Sequence, residues 1–321
     1  MVYLIILVSQ SPHTRDNDFL LHPNHDPTAP NRLSAFNTVT PRGREALAAA
    51  FEFIADRWSR PDSPHGRVVG YIMGNEVNSH RWWANCGDVT MDAFINDYAD
   101  AIKVAHDAVR TASEWARLYV SLDHHWAIQK FSTNPLTSFA GRDFLTQFAA
   151  ITRDRGNPEW HLAYHPYPEN LGDPRFWEDE TATQESDSPR VTFKNLDLLA
   201  AFMRQPEMQF EGQPRSIILS EQGFHTLPGE AGRQLQAAAY CYAYRKIAAI
   251  DEIDAFILHR HVDHPNEGGL KLGLRIYDPK NRWSSAKKPI YDVFRDADRE
   301  NWQSAFEFAL PIGGLTQWPE R

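Results

Sequence analysis

Cysteine is nearly absent from this 321-residue sequence: Cys86 and Cys241 stand far apart and fit neither a zinc-ligand spacing nor a redox pair. A disulfide framework is therefore excluded. A basic excess is also lacking, because 33 Lys and Arg face 42 Asp and Glu for a net charge of −9. No nucleic acid partner is expected from such a balance. The strongly apolar stretch near the N-terminus, residues 2–8, has no charged flank and is far too short to span a bilayer or to serve as a signal peptide. The chain as it stands is expected to be soluble, with no membrane partner and no export signal, and cytoplasmic as encoded. Met1 sits directly on a strand-like run, so sequence missing upstream is expected as well. Gly-rich phosphate loops, solenoid repeats and low-complexity tracts are not found.

What is present suffices for a core, with 42% apolar, 23% charged and 12% aromatic residues. Short runs rich in Val, Ile, Leu and Tyr fall at 2–8, 67–73, 118–122, 161–164, 216–219 and 253–258. Amphipathic stretches separate them at 42–60, 90–115, 142–154 and 231–249, with another after the last strand at 289–298. In the first of these, Ala46, Ala49, Ala50, Phe53 and Ile54 share one face. Alternation of this kind means a parallel sheet, closed as a (β/α)8 barrel or open and doubly wound. The missing phosphate loop weighs against the open sheet, so the expected fold is α/β, a TIM-type (β/α)8 barrel, incomplete with about six recognisable βα units. Residues 1–321 read as one catalytic barrel-like domain, with 299–321 a C-terminal extension. The long polar loops at 11–41 and 168–189 read as rims of a site.

Chemistry gathers after the strands, at the end where a barrel keeps its active site. The strand ends read Gly74-Asn75-Glu76, Asp123-His124-His125-Trp126, His165-Pro166-Tyr167, Ser220-Glu221-Gln222-Gly223 and His259-Arg260-His261. Glu76 and Glu221 each follow a buried run directly. Hydrolysis of a glycosidic bond needs one carboxyl group to protonate the departing oxygen and another to attack the anomeric carbon or to activate water; retaining enzymes hold the two about 5–5.5 Å apart.

These motifs resemble the fourth-strand and seventh-strand signatures of clan A retaining glycoside hydrolases, in order and in separation. The resemblance implies an acid/base role for Glu76, a hydrogen bond from Asn75 to the sugar 2-hydroxyl, and a nucleophilic role for Glu221. His165 and Tyr167 resemble the clan residues that orient the nucleophile, and Lys288-Pro289-Ile290-Tyr291-Asp292-Val293-Phe294 resembles last-helix segments common in such barrels. A β-linked oligo- or polysaccharide is the implied substrate, and no cofactor is needed. In that register the first two barrel strands are absent. Covering the open sheet would take upstream sequence, a partner chain, or the C-terminal segment, and homo-oligomerisation is expected on the same ground.

Around the site, His124, His125, His259 and Arg260 are candidates for binding sugar hydroxyls or carboxylates, and Trp82, Trp83 and Trp126 for stacking on pyranose rings. Tyr167 and Trp177 offer further rings. Arg81, like Arg260, suits an acidic sugar or a structural ion pair. No metal ligand is assigned, but two other readings compete: a metal-dependent barrel hydrolase using Asp123 and the His cluster, and a non-catalytic carbohydrate-binding barrel remnant.

Overall fold

The structure is a computed structural model that describes residues 1–10, 18–131 and 133–318. The start of the 11–41 loop and the last three residues of the 299–321 extension lie outside the described residues. Two compact units make up the chain, Met1–Tyr164 with Phe202–Ile217 and His165–Ala201 with Ile218–Arg321.

The first unit runs β1 (Val2–Ile6), β2 (Val8–Ser9), β3 (Leu33–Ser34), α1 (Pro41–Trp58), β4 (Val68–Met73), α2 (His80–Trp83), α3 (Met91–Arg110), β5 (Arg117–Asp123), α4 (Gly141–Asp154) and β6 (His161–His165), which ends at the first residue of the second unit. Its strands lie in the order β1-β4-β5-β6, with β1–β4 and β4–β5 parallel. The 2–8 run is thus two strands, since Val8–Ser9 leaves the sheet to pair antiparallel with Leu33–Ser34. β4, β5 and β6 are buried almost throughout, as strands covered on both faces must be. Gly70 in β4 is required by its neighbours: a Cβ there would lie 2.6 Å from the Tyr119 ring and 2.7 Å from the Tyr3 ring.

The helices cover this sheet through aromatic contacts. Phe51 of α1 meets Tyr71 edge-on at 5.8 Å, and Tyr98, Phe144, Phe148 and Trp160 form a continuous cluster. Thr40 caps α1, its Oγ1 accepting from the Gly43 amide. The buried stripe of α1 is Gly43, Leu47, Phe51 and Ala55, which corrects the expected face: Ala49, Ala50 and Phe53 are exposed. Both sets have helical spacing, so periodicity alone does not choose between them; the observed face buries Leu47 and Phe51 and leaves Phe53 64% exposed.

The second unit holds most of α5 (Leu196–Met203) and then β7 (Ile217–Gln222), α6 (Gly229–Ile247), β8 (Ile253–Leu258), β9 (Arg275–Asp278), β10 (Trp283–Lys287), α7 (Pro289–Asp296) and α8 (Trp302–Ala305). β7 neighbours β8, and β9 pairs antiparallel with β10. Its core is aromatic, with Phe193 against Phe176, Phe224 and Phe256, and Tyr240 stacked on Phe256 at 5.3 Å. The C-terminal segment is helical and packs on α6, Trp302 and Phe306 meeting Tyr244 at 5.1 and 5.6 Å. Among the described residues this segment forms no strand. Six parallel strands, each followed by a helix, give the fold class expected, an incomplete α/β barrel of the TIM type. No described helix is long and apolar enough to cross a membrane.

Candidate active site

At the end of β4, Gly74 takes φ +84 and Glu76 takes φ 38 with ψ 54. The left-handed region is costly for a residue with a Cβ and persists where surrounding contacts enforce it. Those contacts are visible. The Glu76 amide donates to Ser121 Oγ at 3.0 Å, and its Oε2 accepts from Trp83 Nε1 at 2.9 Å and Lys130 Nζ at 3.3 Å. Glu76 is 7% exposed, and beside it Asn75 is 5% exposed with Oδ1 lacking a hydrogen-bond partner. A buried acceptor left empty costs about 1–3 kcal/mol, so it marks a place where a ligand donor fits.

Behind Glu76 lies Asp123, at the end of β5. Asn78 Nδ2 and Ser79 Oγ donate to its two oxygens at 2.7 and 2.6 Å, and the His125 amide reaches Oδ1 at 3.0 Å. His125 Nδ1 is 3.1 Å from the same oxygen, and Lys130 Nζ is 3.6 Å from Oδ2. Burial pushes the Asp123 carboxyl up, but the His125 hydrogen bond and the charges of His125, Lys130 and His124 prevail and hold it well below the ordinary aspartate range. Lys130 is raised although burial opposes it, because Glu76 and Asp123 both favour its charge. A carboxylate ringed by protein donors is built as an ion-pair anchor rather than a metal ligand. Among the described residues no three His, Cys, Asp or Glu come together as a candidate metal site.

Three tryptophans were expected near this site, and the structure treats each differently. Trp83 holds Glu76. Trp82 stacks on Phe131 at 3.9 Å. Trp126 is fully buried and packs edge-on against Phe202 at 4.9 Å; an indole with both faces enclosed offers no platform, which corrects the stacking role expected of it. His124 and His125 are each 8% exposed, with ring centroids 4.6 Å apart. Arg81 pairs with Asp26 at 3.0 Å and Asp88 at 3.7 Å. His80, which the strand-end motifs do not include, is buried between Phe94 and Phe139, and burial pulls it down to about 4, so it is neutral.

In the second unit Glu221 ends β7, and Tyr167 Oη donates to its Oε1 at 3.2 Å. His165 is fully buried, with Nε2 3.0 Å from Ser220 Oγ. Gln222 Nε2 donates to the Ile257 carbonyl at 2.7 Å, fixing the end of β7 to β8. Gly223 follows by necessity, since a Cβ there would lie 2.2 Å from the His259 carbonyl oxygen. Beyond β8, joined by a cis peptide bond, His259 and Arg260 both engage Glu267, His259 Nε2 at 3.3 Å and Arg260 by a close ion pair. Arg260 therefore has a carboxylate partner already. Trp177 leans on Tyr242 at 4.9 Å.

Sequence reasoning missed Lys130, Asn78, Ser79 and Glu267. Lys130 lies in a loop without pattern, and only folding shows that it touches Glu76. Asn78 and Ser79 were within reach, two and three residues past Glu76, but their partner Asp123 is 45 positions further on.

Six parallel βα units with polar chemistry at the strand ends define an incomplete α/β barrel of the TIM type, a fold also found in solved glycoside hydrolases. Solved structures that share it include a β-glucosidase from Pyrococcus furiosus (TM-score 0.56, 14% identity, covering 87% of this chain and 63% of that one). A family 39 glycoside hydrolase from Bacteroides cellulosilyticus WH2 is similar at TM-score 0.50, 16% identity, and 83% and 46% coverage. This chain spans less than two thirds of the length of either. No curated protein matches. The chain belongs to the Family of unknown function (DUF5722), which matches it over residues 1–321.

Proposed function

We propose that this protein is a retaining glycoside hydrolase acting on β-linked oligo- or polysaccharide. Glu221 attacks the anomeric carbon as the bond to the leaving oxygen breaks, and Glu76 gives that oxygen its proton. Glu76 then takes a proton from water as the water oxygen displaces Glu221, releasing a sugar of retained configuration. Asn75 accepts a hydrogen bond from a ring hydroxyl, and Tyr167 holds Glu221 in place. His165 supports the strand end that carries Glu221 through Ser220, and His124, His125, His259 and Arg260 are assigned to sugar hydroxyls or carboxylates.

The observation that carries this reading is the strand end at Glu76, where a left-handed backbone, two side-chain donors and an empty buried acceptor on Asn75 converge. The fold shared with glycoside hydrolases supports it. The test is a panel of aryl β-glycosides and polysaccharides given to the wild type, Glu76→Ala and Glu221→Ala. Turnover lost in Glu221→Ala, and restored by azide in Glu76→Ala, is the expected result; turnover that survives Glu221→Ala overturns the assignment.

One observation favours a second reading, a non-catalytic carbohydrate-binding protein. Lys130 sits 3.3 Å from the group that must act as an acid, and a cation at that distance favours the carboxylate over the neutral form. Saturable oligosaccharide binding without turnover, little changed by Glu221→Gln, is what that reading expects.

A further inference from the structure

Beyond the ends of β7 and β8 the second unit contains a cavity of about 380 Å³ that the glycosidase reading does not use. Its polar lining includes Thr226, Arg233, Asp263, His264, Lys271 and Lys288. Lys288 forms the base. It is 2% exposed, and its Nζ donates to Asp263 Oδ1 at 2.6 Å and Thr226 Oγ1 at 2.9 Å. Asp263 in turn accepts from the Gly273 amide at 2.8 Å. The wall carrying Lys271 is fixed through its backbone, whose amide donates to His225 Nδ1 at 3.0 Å and whose carbonyl accepts from Thr226 Oγ1 at 2.8 Å. Cavity walls built this way are set before any ligand arrives.

The charges do not balance. Lys288 and Asp263 cancel as a pair, which leaves Arg233 and Lys271 with no second carboxylate in the lining. Glu230 pairs with Arg233 at 3.4 Å from outside the lining, across one turn of α6 where both side chains face solvent, so the pair is weak and leaves the guanidinium open to a second partner. Burial lowers Lys288 and Asp263 raises it, while Lys271 and Arg233 both lower it further, the mark of cations crowded around one space. His225 is lowered by burial and then by Lys271 and Lys288. A concave, positively charged space with rigid walls favours an anion, and a guanidinium with an ammonium supplies the charge-assisted donors that tetrahedral and carboxylate oxyanions take.

We propose that this cavity binds a small oxyanion, sulfate, phosphate or the carboxylate of an acidic sugar, between Arg233 and Lys271 above the Lys288–Asp263 pair. The site stands independently of the roles given to Glu76 and Glu221. Arg233 and Lys271 are exposed enough to be changed without loss of the fold, whereas Lys288 is a buried structural cation and is left intact.

Calorimetric titration at low ionic strength, with sodium sulfate, sodium phosphate, sodium glucuronate and neutral glucose, tests the site in the wild type, in Arg233→Gln/Lys271→Gln and in Glu221→Gln. The wild type is expected to bind an oxyanion saturably and glucose at this site not at all. The double variant should lose about tenfold or more in affinity with an unchanged melting temperature, and Glu221→Gln should bind as the wild type does. Tighter binding of glucuronate identifies the charged substituent of a sugar as the ligand, and tighter binding of sulfate or phosphate identifies the free anion. No saturable binding of any of the three anions, or equal affinity in the double variant, overturns the proposal whether or not the protein hydrolyses glycosides.

Discussion

Asp123 is buried under four hydrogen-bonding contacts and a nearby ammonium group, and it stabilises the loop that carries Glu76 without belonging to the proposed chemistry. Replacing one carboxylate oxygen by an amide turns an accepted hydrogen bond into two opposed donors, so Asp123→Asn is expected to cost roughly 2–4 kcal/mol in urea unfolding. Its depressed carboxyl also fixes the sign of a pH effect. The stabilisation is complete above the ordinary aspartate value near 4 and is lost as pH falls below it, so the wild type should lose stability on acidification more steeply than the variant. A variant as stable as the wild type, with the same acid slope, contradicts this account. At this scale the sequence revealed Glu76 and Glu221 because each directly follows an apolar run. It did not reveal Lys130 or the anchoring role of Asp123, since contacts from one strand-end loop to the next are set by how the strands align.

Elements were legible where burial imposes a pattern. The parallel strands read as unbroken apolar runs, and α3 and α4 read from their periodicity. α5 went unseen because its eight residues, LDLLAAFM, are apolar on nearly every side. β10 went unseen for the opposite reason, being mostly exposed, with Trp283 at 71%. The face of α1 gives a direct contrast: Phe51→Ala is expected to cost about 3–5 kcal/mol and Phe53→Ala within about 0.5 kcal/mol, both by thermal or urea unfolding. Equal losses would mean that the helix is rotated from the orientation described. Between elements, Glu159 joins Arg110 in the last turn of α3 to His161 at the start of β6, at 2.7 and 3.0 Å. The His161 hydrogen bond, against burial and with help from the His161 and Arg110 charges, lowers its carboxyl to about 2. Stability from this clamp is present above pH about 4.5 and is lost as pH falls toward 2. Glu159→Gln should flatten the unfolding profile in that window, and an unchanged profile would show that the clamp carries no weight.

For the molecule as a whole, the alternation of six strands and helices was readable from one sequence because short runs rich in Val, Ile, Leu and Tyr recur with amphipathic stretches between them. The site was readable only as two separate strand ends, Asn75-Glu76 and Ser220-Glu221, each with an aromatic donor on its carboxylate. The central claim is that Glu221 becomes covalently attached to a sugar during turnover. Intact-mass and peptide mass spectrometry after incubation with a 2-deoxy-2-fluoro β-glycoside of a hydrolysed sugar tests it most directly. The account predicts one fluoroglycosyl adduct on the peptide bearing Glu221, absent in Glu221→Ala. An adduct on a different residue, or turnover of the parent glycoside with inverted configuration and no adduct, would contradict it.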